Sequence, residues 1–298
     1  GPNPLTRPFA RLLTRRARLY TGMCVAQAVL DGPRDRLLAF DAREHPVALQ
    51  LGGSDPQELA AAARIGADFG YDEINLNVGC PSDRVQAGRF GACLIKEPML
   101  VAECVAAMTA VTKVPITVKT RLGVDDVDSY EHLAGLIARV REAGCRVVVL
   151  HARKAILNLD TRANRLIPPL DYARVLNGGI GTLDAGLEQL GELDGIMLGR
   201  AAYEQPLLLA EVDARVYGEP AAARPSPTAL LRACLPYLEK ETARGTPLRL
   251  MTRHLCGAFH GQPGARAWRR RLCGETGAAF GLAELRAALQ RDAPALTA

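Results

Sequence analysis

Short apolar segments alternate with longer amphipathic segments through most of the chain, and this alternation narrows the possible folds. The apolar segments predict strands at residues 19–23, 47–51, 73–77, 116–119, 147–151 and 195–198, with the end of another at 176–177. Helices are predicted at 7–18, 56–69, 98–111, 129–143 and 182–190. Apolar strands that alternate with helices indicate a parallel sheet covered by helices on both faces.

Polar side chains stand at or just after the carboxyl ends of the predicted strands, namely Gln50, Asn77, Lys119, His151, Asn177 and Arg200. In a (β/α)8 TIM barrel, the carboxyl ends of the strands carry the chemistry. We therefore predict a TIM barrel. A doubly wound sheet is the competing fold, but no G-x-G-x-x-G motif opens a helix after a first strand.

The end of the chain has a different pattern, with predicted helices only, at 228–244, 248–259, 265–273 and 283–289. A Pro-rich linker divides the chain into a barrel domain, 1–223, and a small all-helical C-terminal domain, 224–298. The helical domain has 12 Lys or Arg against 5 Asp or Glu, a net charge of +7, while the barrel domain carries −2. Such a basic domain suggests a polyanionic partner, and a solvated helical surface is the alternative.

The predicted barrel is short in two places. Eight strands close a TIM barrel, whereas the sequence offers seven candidates, one of them a fragment. No strand precedes the helix at 7–18, and the helix of the sixth unit runs directly into the end of the seventh strand. We expect that a first strand and part of units six and seven are missing from the printed sequence, not from the protein. A real deletion is the alternative, and a chain with that deletion could not close the barrel.

Composition excludes several classes of protein. With 48% hydrophobic and 23% charged residues, the chain does not resemble a disordered one. Its eight cysteines include no C-x-x-C pair, so we expect no metal site. The sequence shows no apolar segment of membrane-spanning length and no secretory signal. We expect a cytoplasmic monomer without membrane association.

Glycine-bearing loops follow the last two predicted strands, at Asn177-Gly178-Gly179 and Gly199-Arg200. Such loops commonly form a phosphate site in TIM barrels, and two ordinary glycine turns are the alternative. Lys119 and His151 favour the phosphate site, because a lysine in a barrel mouth needs an anionic or electron-rich partner. Flavin mononucleotide (FMN) offers both a phosphate and an electron-rich ring edge, and Gln50 can bind its pyrimidine edge.

A cysteine lies in the loop after the strand at 73–77. The stretch G-R-F-G-A-C-L places Cys93 among glycines above the same barrel mouth. A thiol there can act as a general acid, giving a proton to a carbon next to the one that receives a hydride.

Several long stretches together resemble the tRNA-dihydrouridine synthases, most closely their A-type bacterial subfamily. These stretches are residues 45–56, 71–94, 118–123, 151–154, 164–170, 253–254 and 261–270. The resemblance covers nearly the whole chain. It implies an FMN-binding TIM barrel that is followed by a helical tRNA-binding domain.

The resemblance also implies a reaction, the reduction of a D-loop uridine of tRNA, at position 20 or its neighbour 20a, with NADPH as reductant. Flavin N5 gives hydride to C6 of the uracil, and Cys93 gives a proton to C5. The implied FMN residues are Gln50, Asn77, Lys119, His151, Asn177, Gly178, Gly179, Gly199 and Arg200. The implied tRNA-binding residues are Phe90, Arg162, Arg165, Arg266 and Arg269. We expect Trp268 in the helical core rather than on the RNA.

The chain departs from the family pattern at the absent first strand and at Gly22, where the family usually has glutamate. Two alternatives stay open. One is an FMN barrel oxidoreductase acting on a small molecule such as a dihydroorotate or an enone, and the basic C-terminal domain argues against it. The other is a non-catalytic RNA-binding protein on a decayed barrel, against which the retention of Cys93, Lys119 and His151 argues.

Overall fold

A computed structural model describes residues 5–157, 159, 163–165, 180–274 and 280–291. The chain divides into two compact units. As far as their residues are described, the first comprises Arg18–Ile180 and Asp184–Leu198, and the second comprises Pro2–Ala17, Gly181–Leu183 and Gly199–Ala298.

The first unit contains a parallel sheet of five strands, which are β1 Leu19–Val25, β2 Val47–Gly52, β3 Glu73–Val78, β4 Ile116–Arg121 and β5 Val147–His151. Each strand pairs with the next one along the chain, so the sheet order is β1-β2-β3-β4-β5. This confirms five of the predicted strands and the α/β class with a parallel sheet. The predicted strand at 195–198 is wrong, because this segment has no regular hydrogen-bonded structure. Its predicted neighbour at 176–177 lies outside the described residues.

Helices and loops connect the strands and make up the rest of the described residues. The α-helices are α1 Arg7–Arg11, α2 Ala26–Asp31, α3 Arg34–Leu37, α4 Pro56–Asp68, α5 Asp83–Ala87, α6 Pro98–Val111, α7 Tyr130–Glu142, α8 Leu183–Gln189, α9 Arg200–Glu204, α10 Val212–Tyr217, α11 Pro227–Ala243, α12 Leu248–Thr252, α13 Ala265–Leu272 and α14 Leu282–Arg291. Short 3-10 helices occupy Ala42–Glu44, Gly91–Lys96, Ala163–Arg165, Leu190–Glu192, Pro206–Glu211 and Arg253–Phe259.

The two faces of the sheet differ in character because alternate residues of a strand point to opposite sides. Leu49 of β2 and Ile74 of β3 face α4, where Gly66 allows the helix to approach closely. A Cβ at Gly66 would lie 2.6 Å from Leu49 Cδ2 and 2.9 Å from Ile74 Cδ1. The opposite face is polar and yet buried, and it presents Gln50, Glu73, Asn75 and Thr117. The sheet therefore has one apolar face under helices and one polar internal face.

All the regular secondary structure in the described residues of the second unit is helical. Trp268 of α13 is 6% exposed and stacks on Phe259, with ring centroids 4.8 Å apart and an interplanar angle of 17°. This confirms the predicted position of Trp268 in the helical core. No helix among the described residues of the chain combines the length and the apolar character needed to cross a membrane.

The N-terminal segment also belongs to the second unit, and the predicted helix at 7–18 is wrong beyond Arg11. The carboxylate of Asp213 accepts the backbone N–H groups of Arg15 and Arg16 at 2.6 and 3.1 Å. It also accepts the hydroxyl of Thr14. These contacts replace the i→i−4 hydrogen bonds that a continued helix would make.

Candidate active site

The carboxyl ends of four strands bring predicted site residues together. Asn77 of β3 lies opposite Lys119 of β4, and Arg121 of β4 lies opposite His151 of β5. Gln50 stands on the neighbouring strand β2, opposite Asn75. The structure thus places Gln50, Asn77, Lys119 and His151 at one edge of the sheet, as their positions at strand ends predict.

Hydrogen bonds join the two amide side chains at this edge. Asn77 Nδ2 donates to Gln50 Oε1 at 2.9 Å, and Gln50 Nε2 donates to Asn75 Oδ1 at 2.9 Å. Asn77 Oδ1 accepts the backbone N–H groups of Gly79 and Cys80 at 3.1 and 3.0 Å. Asn77 therefore shapes the turn by which the chain leaves β3.

Lys119 is half-buried and lies near another cation, the guanidinium of Arg121. Burial, and then the nearby Arg121 guanidinium, lower the pKa of Lys119 to about 8. Within the described part of the chain, Lys119 has no hydrogen-bond or ion-pair partner. Its ammonium group is still mostly charged at neutral pH, so it presents an unpaired positive charge at the strand ends.

Arg121 and Arg153 belong to the same edge, although the sequence prediction did not include them. Burial lowers the pKa of Arg121 to about 10, and the guanidinium of Arg153 adds to this shift. Arg121 Nε donates to the carbonyl oxygen of Gly79 at 2.8 Å and Nη1 to that of Lys154 at 3.1 Å. Arg153 Nε is buried, with no hydrogen-bond partner among the described residues. Arg121 lies two residues after Lys119 on one strand, and that period-2 spacing was the available signal.

These three cations fit an anionic ligand. None of the three, Lys119, Arg121 and Arg153, has an ion pair within the residues that the structure describes. Buried charges in proteins are normally paired, and none of the described residues supplies the negative group that these cations would pair with. The donor set, together with the amides of Gln50 and Asn77, fits the anionic and electron-rich groups of FMN.

The segment that carries Cys93 is held by a glycine in a left-handed conformation. Gly91 has φ +66°, and it opens the 3-10 helix Gly91–Lys96. The backbone N–H of Ala92 donates to the carbonyl oxygen of Cys80 at 3.0 Å. Cys93 is half-buried, and burial raises the pKa of its thiol above the ordinary value. The thiol therefore keeps its proton at neutral pH, as a general acid must.

Loops from three strands are tied together beside Cys93. Lys96 Nζ forms an ion pair with Asp125 Oδ2 at 2.8 Å, which joins the loop after β3 to the loop after β4. Asp125 Oδ1 accepts the backbone N–H of Leu157, in the segment after β5, at 2.9 Å. Buried Asn164 closes that segment through hydrogen bonds to Ile156 and Leu159. Cross-loop contacts of this kind carry no periodic signal in a sequence.

The structure buries Phe90, a predicted tRNA-binding residue. Its side chain is 6% exposed, and a Cβ at Gly52 would lie 2.8 Å from its ring atom Cε2. The ring thus packs at the carboxyl end of β2, in the core of the first unit.

The remaining predicted residues lie elsewhere. Four of them fall outside the described residues, namely Arg162, Asn177, Gly178 and Gly179. Arg165 ends the 3-10 helix Ala163–Arg165. Gly199 and Arg200 belong to the second unit, where Gly199 precedes α9 and both residues are exposed.

The second unit presents a basic helix face. Arg266, Arg269 and Arg270 of α13 are all exposed, and none has an ion pair among the described residues. Residues spaced by three and four positions share one side of a helix, so the three guanidinium groups form one positive surface. Such a surface is suited to phosphate groups.

Comparisons with known proteins show the family to which the chain belongs. Residues 3–293 match the family described as Dihydrouridine synthase (Dus). The chain is 54% identical over 280 residues to the tRNA-dihydrouridine(20/20a) synthase of Xanthomonas campestris pv. campestris, an alignment that covers 89% of this chain and 83% of the relative. It is 50% identical over 281 residues to the proteins of the same name from Vibrio cholerae and Escherichia coli O6:H1, covering 89% of this chain and 85% and 84% of theirs.

Proposed function

The chain belongs to the dihydrouridine synthase (Dus) family of enzymes, and on that premise we propose that it reduces uridines 20 and 20a of tRNA to 5,6-dihydrouridine. The observation that carries this proposal is the 54% identity, over 280 residues, to a relative named for that reaction. The names of these relatives concern tRNA, so the alternative of a small-molecule substrate has no observation in its favour.

The proposed fold is a (β/α)8 TIM barrel with a helical tRNA-binding domain at residues 224–298. Five parallel strands in chain order support it, because each TIM-barrel strand pairs with its neighbour along the chain. The buried polar face of the sheet also supports it. A polar face that is nevertheless shielded from solvent fits the interior of a barrel.

The proposed cofactor is FMN, which when bound supplies the hydride for C6 of the uracil ring after reduction by NADPH. Lys119 supports this assignment, since it offers a positive charge that no described residue neutralises. Gln50 and Asn77 offer amide groups for the polar edge of the ring. The other proposed FMN residues are His151, Asn177, Gly178, Gly179, Gly199 and Arg200.

Cys93 is the proposed proton donor to C5 of the uracil ring. A general acid must be protonated at the working pH and must stand in a segment of defined geometry. Burial raises the pKa of the Cys93 thiol, which meets the first requirement. Gly91 and the bond between Ala92 and Cys80 hold its segment, which meets the second.

The proposed tRNA contacts are Arg162, Arg165, Arg266 and Arg269. Phe90, which the sequence resemblance also implied, is not among them because its ring is buried in the core of the first unit. The guanidinium groups of Arg266 and Arg269 on α13 support their contribution, because they are exposed and have no ion pair among the described residues. The burial of Trp268 argues that this helix binds the phosphate backbone by charge and not by stacking. A loop uridine costs a few kcal/mol or less to unstack, so it can enter a recessed site.

The test is an assay of the full chain with FMN, NADPH and unmodified tRNA transcript, in which mass spectrometry measures dihydrouridine at positions 20 and 20a. Cys93→Ala is expected to abolish most of the product. Cys104→Ala, which changes a fully buried cysteine of α6, serves as the matched control and is expected to keep activity. A wild-type protein that leaves both positions unmodified would overturn the proposal.

A further inference from the structure

We infer that Glu73, at the amino end of β3, is a positioning residue that acts from one end of a hydrogen-bond line, with the backbone bonds of Asn77 at the other end, to fix the orientation of the Gln50 and Asn77 amides at the carboxyl ends of the strands. The inference rests on the proposed function, in which these amides bind FMN. Its evidence is a continuous line of hydrogen bonds along the polar face of the sheet, from Glu73 through Thr117 and Asn75.

The line begins at a buried carboxylate with three donors. Glu73 is 2% exposed and pairs with the Arg18 guanidinium. Glu73 Oε1 accepts the hydroxyls of Tyr20 and Thr117, each at 2.7 Å. Burial, and then the Glu73 carboxylate, raise the pKa of Tyr20, so its hydroxyl stays a donor. An ionised carboxylate accepts hydrogen bonds only, and the Thr117 hydroxyl must therefore point its proton at Glu73.

That constraint passes from one side chain to the next. With its proton committed, Thr117 Oγ1 can only accept, and it accepts from Asn75 Nδ2 at 2.8 Å. The Asn75 oxygen is then turned towards Gln50, whose Nε2 donates to it at 2.9 Å. The Gln50 oxygen is turned in turn towards Asn77 Nδ2 at 2.9 Å. Reversing any one amide would bring two donors or two acceptors face to face.

Asn77, at the other end of the line, requires the same orientation of the amide groups. Asn77 Oδ1 accepts the N–H groups of Gly79 and Cys80, so Asn77 must present its nitrogen to Gln50. A ligand at the strand ends therefore meets amides with one fixed pattern of donors and acceptors. Without the carboxylate, the hydrogen bonds of Asn77 alone would hold Gln50 and Asn75 in this orientation, and part of the population would rotate by half a turn and present the wrong pattern.

Thr117 gives the sharpest test, because valine has the same shape as threonine but lacks the hydroxyl. The measurement is the dissociation constant of FMN for the full-length protein stripped of flavin, from the quenching of flavin fluorescence. We expect Thr117→Val to bind FMN about tenfold more weakly, which corresponds to the loss of roughly one hydrogen bond. Thr117→Ser keeps the hydroxyl and is expected to bind within about twofold of wild type.

Thr120→Val is the matched control. Thr120 is also buried on β4, but its hydroxyl donates to the carbonyl oxygen of Val78 at 3.2 Å, outside the line. We expect it to lower the melting temperature about as much as Thr117→Val and to leave FMN binding unchanged. A merely structural role for Thr117 would instead make the two variants bind FMN alike.

Glu73→Gln provides the second variant, and it is needed if Thr117→Val does not fold. Glutamine keeps the size of Glu73 but can donate as well as accept, so it no longer commits the Thr117 proton. We expect weaker FMN binding here too. Wild-type affinity in either folded variant would overturn the inference while the proposed function stands. A wild-type protein that binds no FMN would overturn the proposed cofactor, and the inference with it.

Discussion

Replacing Gly91 with alanine is expected to distort the segment that carries Cys93. The φ of +66° costs a residue with a Cβ about 1–2 kcal/mol. The added Cβ would lie 2.3 Å from Val85 Cγ1 and 2.6 Å from the carbonyl oxygen of Cys80. Cys80 offers a backbone atom that no rotamer change can move, and overpacking of this kind costs about 1–3 kcal/mol more.

The two costs together give a loss of about 2–5 kcal/mol in the free energy of unfolding. The loop can avoid part of this loss by moving away from Cys80. That movement would break the bond from Ala92 to Cys80 and displace the Cys93 thiol. We therefore expect a fall in stability, a fall in dihydrouridine formation, or both, from urea denaturation and from the tRNA assay.

Gly135→Ala is the matched control for this substitution. Gly135 lies inside α7, and a Cβ there would meet no atom within 4 Å. Alanine is expected to stabilise the helix by about 0.5–1 kcal/mol and to leave activity unchanged. If Gly91→Ala matched the wild type in both stability and activity, the left-handed turn would not be what positions Cys93.

Three further predictions concern charge. Burial and a neighbouring arginine lower the pKa of Lys119 to about 8, so the affinity for FMN should fall as the pH rises through 8. Lys119→Met should abolish that pH dependence, and equal FMN affinity of the wild type at pH 7 and 9 would contradict the prediction. Burial raises the pKa of Asp213, but hydrogen bonds from residues 14–16 outweigh burial and lower this pKa overall. Asp213→Asn should therefore reduce the free energy of unfolding by about 1–3 kcal/mol in urea denaturation at neutral pH. The difference from wild type should shrink below about pH 4, where the wild-type carboxylate gains its proton. Arg266→Ala with Arg269→Ala should weaken tRNA binding and reduce its salt slope by about two, whereas Arg244→Ala, which removes the partner of an ion pair, should leave the slope unchanged.

The strands could be predicted because each is an apolar segment between polar or glycine-bearing turns. The confirmed strands extend at most two residues beyond their predicted ends, since hydrogen-bond pairing continues past the last apolar residue. Residues 195–198 show the limit of this reasoning, because an apolar segment is a strand only where a neighbour pairs with it. The end of α1 shows a second limit, because it depends on Asp213, which is far away along the chain.

The site was predictable in its residue types but not in its connections. Positions at strand ends indicated Lys119 and His151, and a glycine-rich loop indicated Cys93. The amide line from Glu73 gives no sequence signal, because it depends on which strands are neighbours and in what register. The Arg153 Nε, which has no partner among the described residues, is also a property of three-dimensional packing, since only the folded chain shows which polar groups lack a partner.

The order of the strands has a consequence for how the protein forms during synthesis. Each strand pairs with the one that the ribosome has released just before it, so no strand must wait for a distant partner. Contacts between nearby parts of a chain lose little entropy on closing, and they favour rapid folding. The growing sheet can therefore extend one strand at a time, and its interior strands are paired on both sides while β1 and the newest strand form its edges.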